Sequence, residues 1–205
     1  MVRANPARRR RVASKVVLWV LCLGPALWLG FGAATDGLGA NPIEEITHRT
    51  GWWALFLLTI TLAITPVRRL AGRPGWVRYR RLLGLFAFFY ATLHFLTYLV
   101  LDQFFGWSYI VEDIAERPFI TVGFAAWLML LALAVTSTTG WIRRLRKYWQ
   151  RLHRLVYVAA LAGGVHFLWK VKADTREPLV FLSAIVVLII VRVWAPWTRR
   201  APRPQ

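Results

Sequence analysis

Four histidines, His48, His94, His153 and His166, are the side chains of this sequence best suited to holding a metal. Neutral imidazole is a common ligand of transition metals and a good axial ligand for haem iron. Three of the four lie among apolar residues, where titratable groups are rare and mark function. His94 follows Phe88-Phe89-Tyr90-Ala91-Thr92-Leu93, and His153 and His166 bracket another apolar stretch. His48 sits in polar sequence, in an outer loop just before the second apolar run, and reads as a solvated interfacial residue. Cys22 is the single cysteine, so no internal disulfide, Cys-ligated zinc or iron–sulfur cluster can form, and it reads as a small buried hydrophobe. No Gly-x-Gly-x-x-Gly turn joins a strand to a helix, so the chain has no nicotinamide domain of its own.

The elements that must position these histidines are long and apolar. The sequence is 58% hydrophobic, too much for a typical soluble domain, and its apolar residues fall in runs at 15–34, 51–65, 82–101, 119–136, 152–169 and 179–193. Runs of about 20 residues match a hydrocarbon core roughly 30 Å thick. Only helices and closed barrels satisfy their backbone groups in lipid, and these runs lack the alternation of barrel strands. The expected fold is all-α: a six-helix integral membrane bundle over residues 15–197, with basic tails at 1–14 and 198–205. The first run is long for a signal-peptide core and five more follow it, so it reads as a retained anchor.

Charge gives the expected orientation. Arg3, Arg8, Arg9, Arg10, Arg11 and Lys15 precede the first run or open it, and Arg68, Arg69, Arg73, Arg78, Arg80 and Arg81 separate the second from the third. Arg143, Arg144, Arg146, Lys147 and Arg151 separate the fourth from the fifth, and Arg199, Arg200 and Arg203 follow the sixth. All 9 acidic residues fall on the opposite side, among them Glu44, Glu45, Asp102, Glu112, Asp113, Glu116 and Glu177. The positive-inside rule then places both termini in the cytoplasm. It also explains the net charge of +18 without nucleic acid, since no basic stretch forms a folded unit that presents a binding face. Trp52, Trp53, Trp169, Trp194 and Trp197 sit near run ends, as an aromatic belt would. Gly72-Arg73-Pro74-Gly75 reads as a turn between helices. The loops are too short to fold a catalytic domain, so electron donor and final acceptor must both come from outside the chain.

Depth in the bilayer can be counted along the helices. His94 lies 12 residues beyond Leu82, roughly 18 Å up its helix, and His166 lies 14 beyond Leu152, roughly 21 Å up. The two are level, in the outer half, on helices that run the same way. Level imidazoles amid Phe86, Phe88, Phe89, Phe95 and Phe167 suit the two axial positions of a b-type haem buried between helices. The bland alternative is that each histidine bonds a neighbouring helix. His153 lies 13 residues before His166, roughly 20 Å lower, which leaves room for a second haem. On a straight helix, however, it would point about 220° away from His166, and Gly163-Gly164 is the expected place for a correcting distortion. Its partner on the third run is missing. Arg80 and Arg81 stand 14 and 13 residues before His94, and neither is a usual iron ligand. Either suits a haem propionate or a flavin phosphate, or else serves only as a cytoplasmic anchor.

Motifs in loops and runs together carry a family resemblance. They are Asn41-Pro-Ile-Glu-Glu, Thr47-His-Arg-Thr-Gly51, Ile64-Thr-Pro66, Arg80-Arg-Leu-Leu-Gly-Leu85 and Ala91-Thr-Leu-His94. Further on come Arg117-Pro118, Leu131-Ala-Leu-Ala134 with Thr136-Ser-Thr138, Trp149-Gln-Arg-Leu-His-Arg-Leu-Val-Tyr157 and His166-Phe-Leu-Trp-Lys-Val-Lys172. From residue 41 to 193 the chain resembles the haem-binding membrane subunits of the bacterial protein-methionine-sulfoxide reductase system, the MsrQ (YedZ) family of ferric reductase-like proteins. The resemblance implies haem b with His94, His153 and His166 as ligands, an FMN, and residence in the inner membrane. It implies electrons drawn from the quinone pool or a cytosolic flavin reductase. They would pass to a periplasmic molybdopterin subunit that reduces methionine sulfoxide in envelope proteins.

Three functions therefore compete. The leading one is an electron conduit whose acidic outer loops, with Glu112, Asp113 and Glu116, help to orient the partner. The second is a stand-alone reductase of ferric iron or oxygen in the same bundle. The third, a non-redox transporter or assembly factor, is disfavoured because the runs contain no carboxylate for a proton relay.

Overall fold

The computed structural model describes residues 6–194. Arg3, Trp197, Arg199, Arg200, Arg203 and the tail at 198–205 lie outside the described residues. Within them the chain is all-helical, and no strand occurs.

Helix α1, Pro6–Ala34, is followed by α2, Pro42–Leu70. At 29 residues, α2 is about 43 Å long and outreaches the bilayer core. The apolar run at 51–65 marked only its middle. Its true start is set by capping: the Asn41 side chain accepts from the Glu44 N–H at 3.3 Å, and Pro42 occupies the first turn. Glu44 and Glu45 sit at the positive end of its dipole, Arg68 and Arg69 at the negative end. His48 is thereby a helical residue, not a loop residue as the sequence suggested.

Gly72, at φ 61°, turns the chain into a short 3-10 segment, Pro74–Tyr79, and then α3, Arg80–Leu96. A π-helical turn, Thr97–Asp102, extends α3. The outer connection holds a helix that hydropathy did not reveal, α4, Trp107–Glu116. It leads at Arg117 into α5, Pro118–Val135. Two short helices, α6 (Thr139–Leu145) and α7 (Lys147–Leu152), meet at Arg146 with φ 46°. Then come α8, Leu155–Lys170, and α9, Arg176–Trp194.

Among the described residues, five helical stretches are long and apolar enough to cross a membrane: Val12–Ala34, Pro42–Leu70, Gly75–Asp102, Pro118–Val135 and Lys147–Lys170. The run at 179–193 forms most of α9, which packs on α2 and α8 as the sixth long helix of the bundle. The chain is a multi-pass membrane protein. Its lipid-side character shows on α1, where Val16, Val20, Leu27 and Phe31 are all exposed.

Two hairpins organise the bundle: α2 packs along α3, and α5 packs along α8. Contacts of α3 with α5 join them, and α9 closes the other side against α2 and α8. Leu57, Leu58 and Leu62 of α2, Ala87 and Tyr90 of α3, Leu133 of α5, Ala160 of α8 and Ile185 of α9 form the core. Ala87 and Ala160 are wholly buried; small side chains at such positions let helix backbones approach.

A buried polar lock ties the peripheral α1 to α3. Tyr90 is wholly buried, and its hydroxyl donates to the Cys22 carbonyl at 2.6 Å while accepting from the Ala26 N–H at 3.0 Å. These two backbone groups are four residues apart beside Pro25, where proline cannot supply its own N–H. Tyr90→Phe removes the bridge from a buried site and should destabilise the protein by about 1–3 kcal/mol. A lowered midpoint of thermal unfolding in detergent checks this; an unchanged midpoint contradicts it.

Candidate functional site

The structure brings His94 of α3 and His166 of α8 together, with ring centres 6.0 Å apart and ring planes at 81°. Each ring is tied to the backbone of the helix beside it. His94 Nδ1–H donates to the Thr47 carbonyl of α2 at 2.8 Å, and His166 Nδ1–H donates to the Phe119 carbonyl of α5 at 2.7 Å. A carbonyl only accepts, so both imidazoles are held in the tautomer that leaves Nε2 bare for a ligand.

Glycines make space for both rings. A Cβ on Gly51 would lie 3.0 Å from His94 Nδ1, and one on Gly123 would lie 2.6 Å from His166 Nδ1. In each case the glycine is one helical turn beyond the accepting carbonyl. The two halves of the site also share a register. Thr47, Gly51 and His94 are matched by Phe119, Gly123 and His166, and each accepting carbonyl precedes its histidine by 47 residues. Thr47 and Gly51 figured in the sequence only as parts of a motif, and the supporting role of none of the four was apparent there. The signal available was a Gly-to-His spacing that occurs twice.

This donor set fits haem. An imidazole nitrogen binds a first-row metal at about 2 Å with its ring centre about 1 Å behind, so two axial rings stand about 6 Å apart. No group of three or more metal-binding side chains occurs among the described residues, so a caged ion has no matching ligand set there. The aromatic surroundings differ from expectation. Phe119 is the ring beside His166. Phe86 and Phe89 instead pack with Trp19 and Tyr90, on the side that faces α1.

His153 is elsewhere, at the basic end. It caps α7 in the break before α8 and is not part of the long helix that carries His166. The 220° argument therefore fails for a local reason: the chain breaks at 153–154. Helix α8 runs unbroken through Gly163 and Gly164, where no correcting distortion occurs. Gly164 instead receives Leu182 of α9. Trp149 stacks on His153 with ring centres 3.9 Å apart. The Thr136 hydroxyl gives its proton to the Ala132 carbonyl at 2.7 Å, so at 3.2 Å it accepts from His153 Nε2–H. The bare nitrogen of His153 is thus Nδ1, the reverse of the outer pair.

His153 lines a cavity of about 800 Å³ together with Arg80, Arg81, Trp149, Tyr157 and Arg192. No second histidine and no acidic residue lines it. Arg80 Nε and Arg192 Nη1 are buried without a partner, and Arg192 lies over the Tyr157 ring at 5.4 Å. Buried guanidinium nitrogens without a hydrogen-bond partner, beside aromatic rings, suit a flat ligand that carries anionic groups. Arg81 precedes His153 by the same 72 positions that separate His94 from His166, so the first half of the bundle offers arginine where the second offers histidine.

At the acidic end, Asp113 is not free to dock a partner. It is 9% exposed and takes bonds from Tyr98 Oη at 3.0 Å and from Arg117 Nε at 3.3 Å. Glu112 and Glu116 are exposed.

A family model described as ferric reductase like transmembrane component matches residues 50–164, which include His94 and His153. A protein-methionine-sulfoxide reductase heme-binding subunit MsrQ from Xanthomonas axonopodis pv. citri (strain 306) is 50% identical over 195 residues, 92% of this chain and 89% of that one. A protein of the same name from Herminiimonas arsenicoxydans is 47% identical over 204 residues, covering 98% and 94%.

Gly123→Ala should displace the His166 ring and cut haem occupancy strongly, by about tenfold or more in affinity, since the overlap is with ring atoms close to backbone. Gly51→Ala, with its longer approach, should cost less. Haem titration of the two purified variants checks the order, and equal affinity in both and in the parent contradicts it.

Proposed function

The chain belongs to the MsrQ family of haem-binding subunits, within the ferric reductase-like transmembrane proteins, and on that premise we propose that it carries electrons across a bacterial inner membrane to a methionine-sulfoxide reductase. The observation that carries this reading is the His94 and His166 pair, 6.0 Å apart with both Nδ1–H groups already committed. Haem b held there supplies a one-electron couple near the acidic end of the bundle. The chain's own residues do the rest. Thr47 and Phe119 fix the ring orientations, Gly51 and Gly123 admit the rings, and the apolar helices keep water from the site.

The orientation follows from charge, with the basic face and both termini in the cytoplasm. The membrane domain spans 15–197, and the ends at 1–14 and 198–205 act as basic anchors. Electrons enter at the basic face from the quinone pool or a cytosolic flavin reductase. They leave at the acidic face to a periplasmic subunit that holds a molybdopterin. Reduction of one methionine sulfoxide takes two electrons and two protons and releases water, so a one-electron carrier serves each turnover twice. The cavity around His153, Arg80, Arg81 and Arg192 takes an anionic redox cofactor. Its fit is to a second haem, through His153 and the propionates, or to FMN through the phosphate.

One second reading has its own support. The ferric reductase-like match favours a stand-alone reductase of ferric iron or oxygen on the same bundle. Reoxidation of the purified, pre-reduced protein separates the two. The proposal expects fast reoxidation only when a methionine-sulfoxide reductase partner and a sulfoxide substrate are both supplied. Equally fast reoxidation by ferric chelate or oxygen alone would transfer the function to the second reading.

A further inference from the structure

Lys170 stands at the acidic end with no obvious reason to be charged there. It lies one helical turn beyond His166 on α8, and the two therefore share a face. Its ammonium donates to His48 Nε2 at 2.6 Å, and His48 directly follows Thr47, whose carbonyl orients His94. Helix α8 thus carries both His166 and Lys170, and α2 carries both His48 and the carbonyl that orients His94.

Among the described residues Lys170 forms no ion pair with a carboxylate. The carboxylate that lies beside His48 is already engaged. Glu44 accepts from the Asn41 side chain at 2.9 Å in the α2 cap and lies 3.8 Å from His48. An ammonium has three N–H donors, and the histidine takes one of them. A half-buried cation with donors to spare calls for an anion, and a charge-assisted bond to one is about twice as strong as a neutral bond.

We propose that Lys170, steadied by His48, is the carboxylate anchor of the outer site and binds a haem propionate. This rests on His94 and His166 as the iron ligands. The iron and the carboxylates of one haem would then be served from adjoining positions: His166 and Lys170 one turn apart on α8, and on α2 His48 next to the Thr47 carbonyl that orients His94. The bond orients the macrocycle about its iron axis, which two imidazoles alone leave free.

The test uses the full chain in detergent, loaded with haem or with haem dimethyl ester, whose carboxylates are blocked. Lys170→Gln should weaken haem binding about tenfold and lower its midpoint potential, because an unpaired propionate favours the oxidised iron. The affinity should not differ between Lys170→Gln and the parent when the ester is bound. The parent should prefer haem to its ester by a similar factor, and Lys170→Arg should keep most of that preference. Equal effects of Lys170→Gln on both haem forms, or a parent that does not distinguish them, would overturn the proposal. Unchanged haem binding with lost delivery to the reductase would also overturn it, and would assign Lys170 to a carboxylate of the partner. If His94→Ala and His166→Ala keep their haem, the failure lies in the ligand assignment beneath it.

Discussion

Two hydrogen bonds from imidazole to backbone hold the site, and much of the bundle is arranged to make them. A histidine in an apolar helix has two nitrogens and no fixed tautomer. Once Nδ1–H is given to a carbonyl of the adjacent helix, Nε2 is left bare and its direction is set. That bond requires the accepting helix to come within contact distance of the ring. The α2–α3 and α5–α8 hairpins meet this demand in the same way, with a carbonyl at Thr47 or Phe119 and a glycine one turn further on. The close packing of these pairs is therefore a requirement of ligand geometry as much as of stability.

The repeat explains the asymmetry between the two ends of the bundle. At the acidic end both halves supply the same three features, and the outcome is a matched pair of oriented imidazoles. At the basic end the halves diverge: Arg81 stands in register with His153, and the helix that should carry His153 is broken beneath it. Where one end offers two imidazoles, the other offers one imidazole and several guanidinium groups around a cavity of about 800 Å³. The first is suited to gripping a metal, the second to gripping the anionic edge of a cofactor.

Much of this was legible in the sequence, for physical reasons that can be named. Apolar runs without strand alternation mark helices in lipid because only helices and closed barrels satisfy the backbone there. The depths of His94 and His166 could be counted because charged residues pin the helix ends. What hydropathy missed lies where the bilayer does not dictate the outcome. The start of α2 is set by the Asn41 cap, well outside the apolar run, which is why His48 was misplaced. The break at 153–154 carries no proline or glycine, and α4 is too short and too polar on one side to register as a span. Gly51 and Gly123 carried no role in the sequence, because a glycine gains meaning only when the ring opposite it is known. Asp113 read as a surface charge until its bonds to Tyr98 and Arg117 showed it buried.

The central claim is that His94 and His166, held by the Thr47 and Phe119 carbonyls, are the two axial ligands of one haem. The most direct measurement is the visible spectrum of the purified protein, oxidised and dithionite-reduced, beside His94→Ala, His166→Ala and His153→Ala. The account predicts a b-type spectrum whose outer-haem component is lost in both of the first two variants and kept in the third. A spectrum that survives unchanged in either His94→Ala or His166→Ala would contradict it.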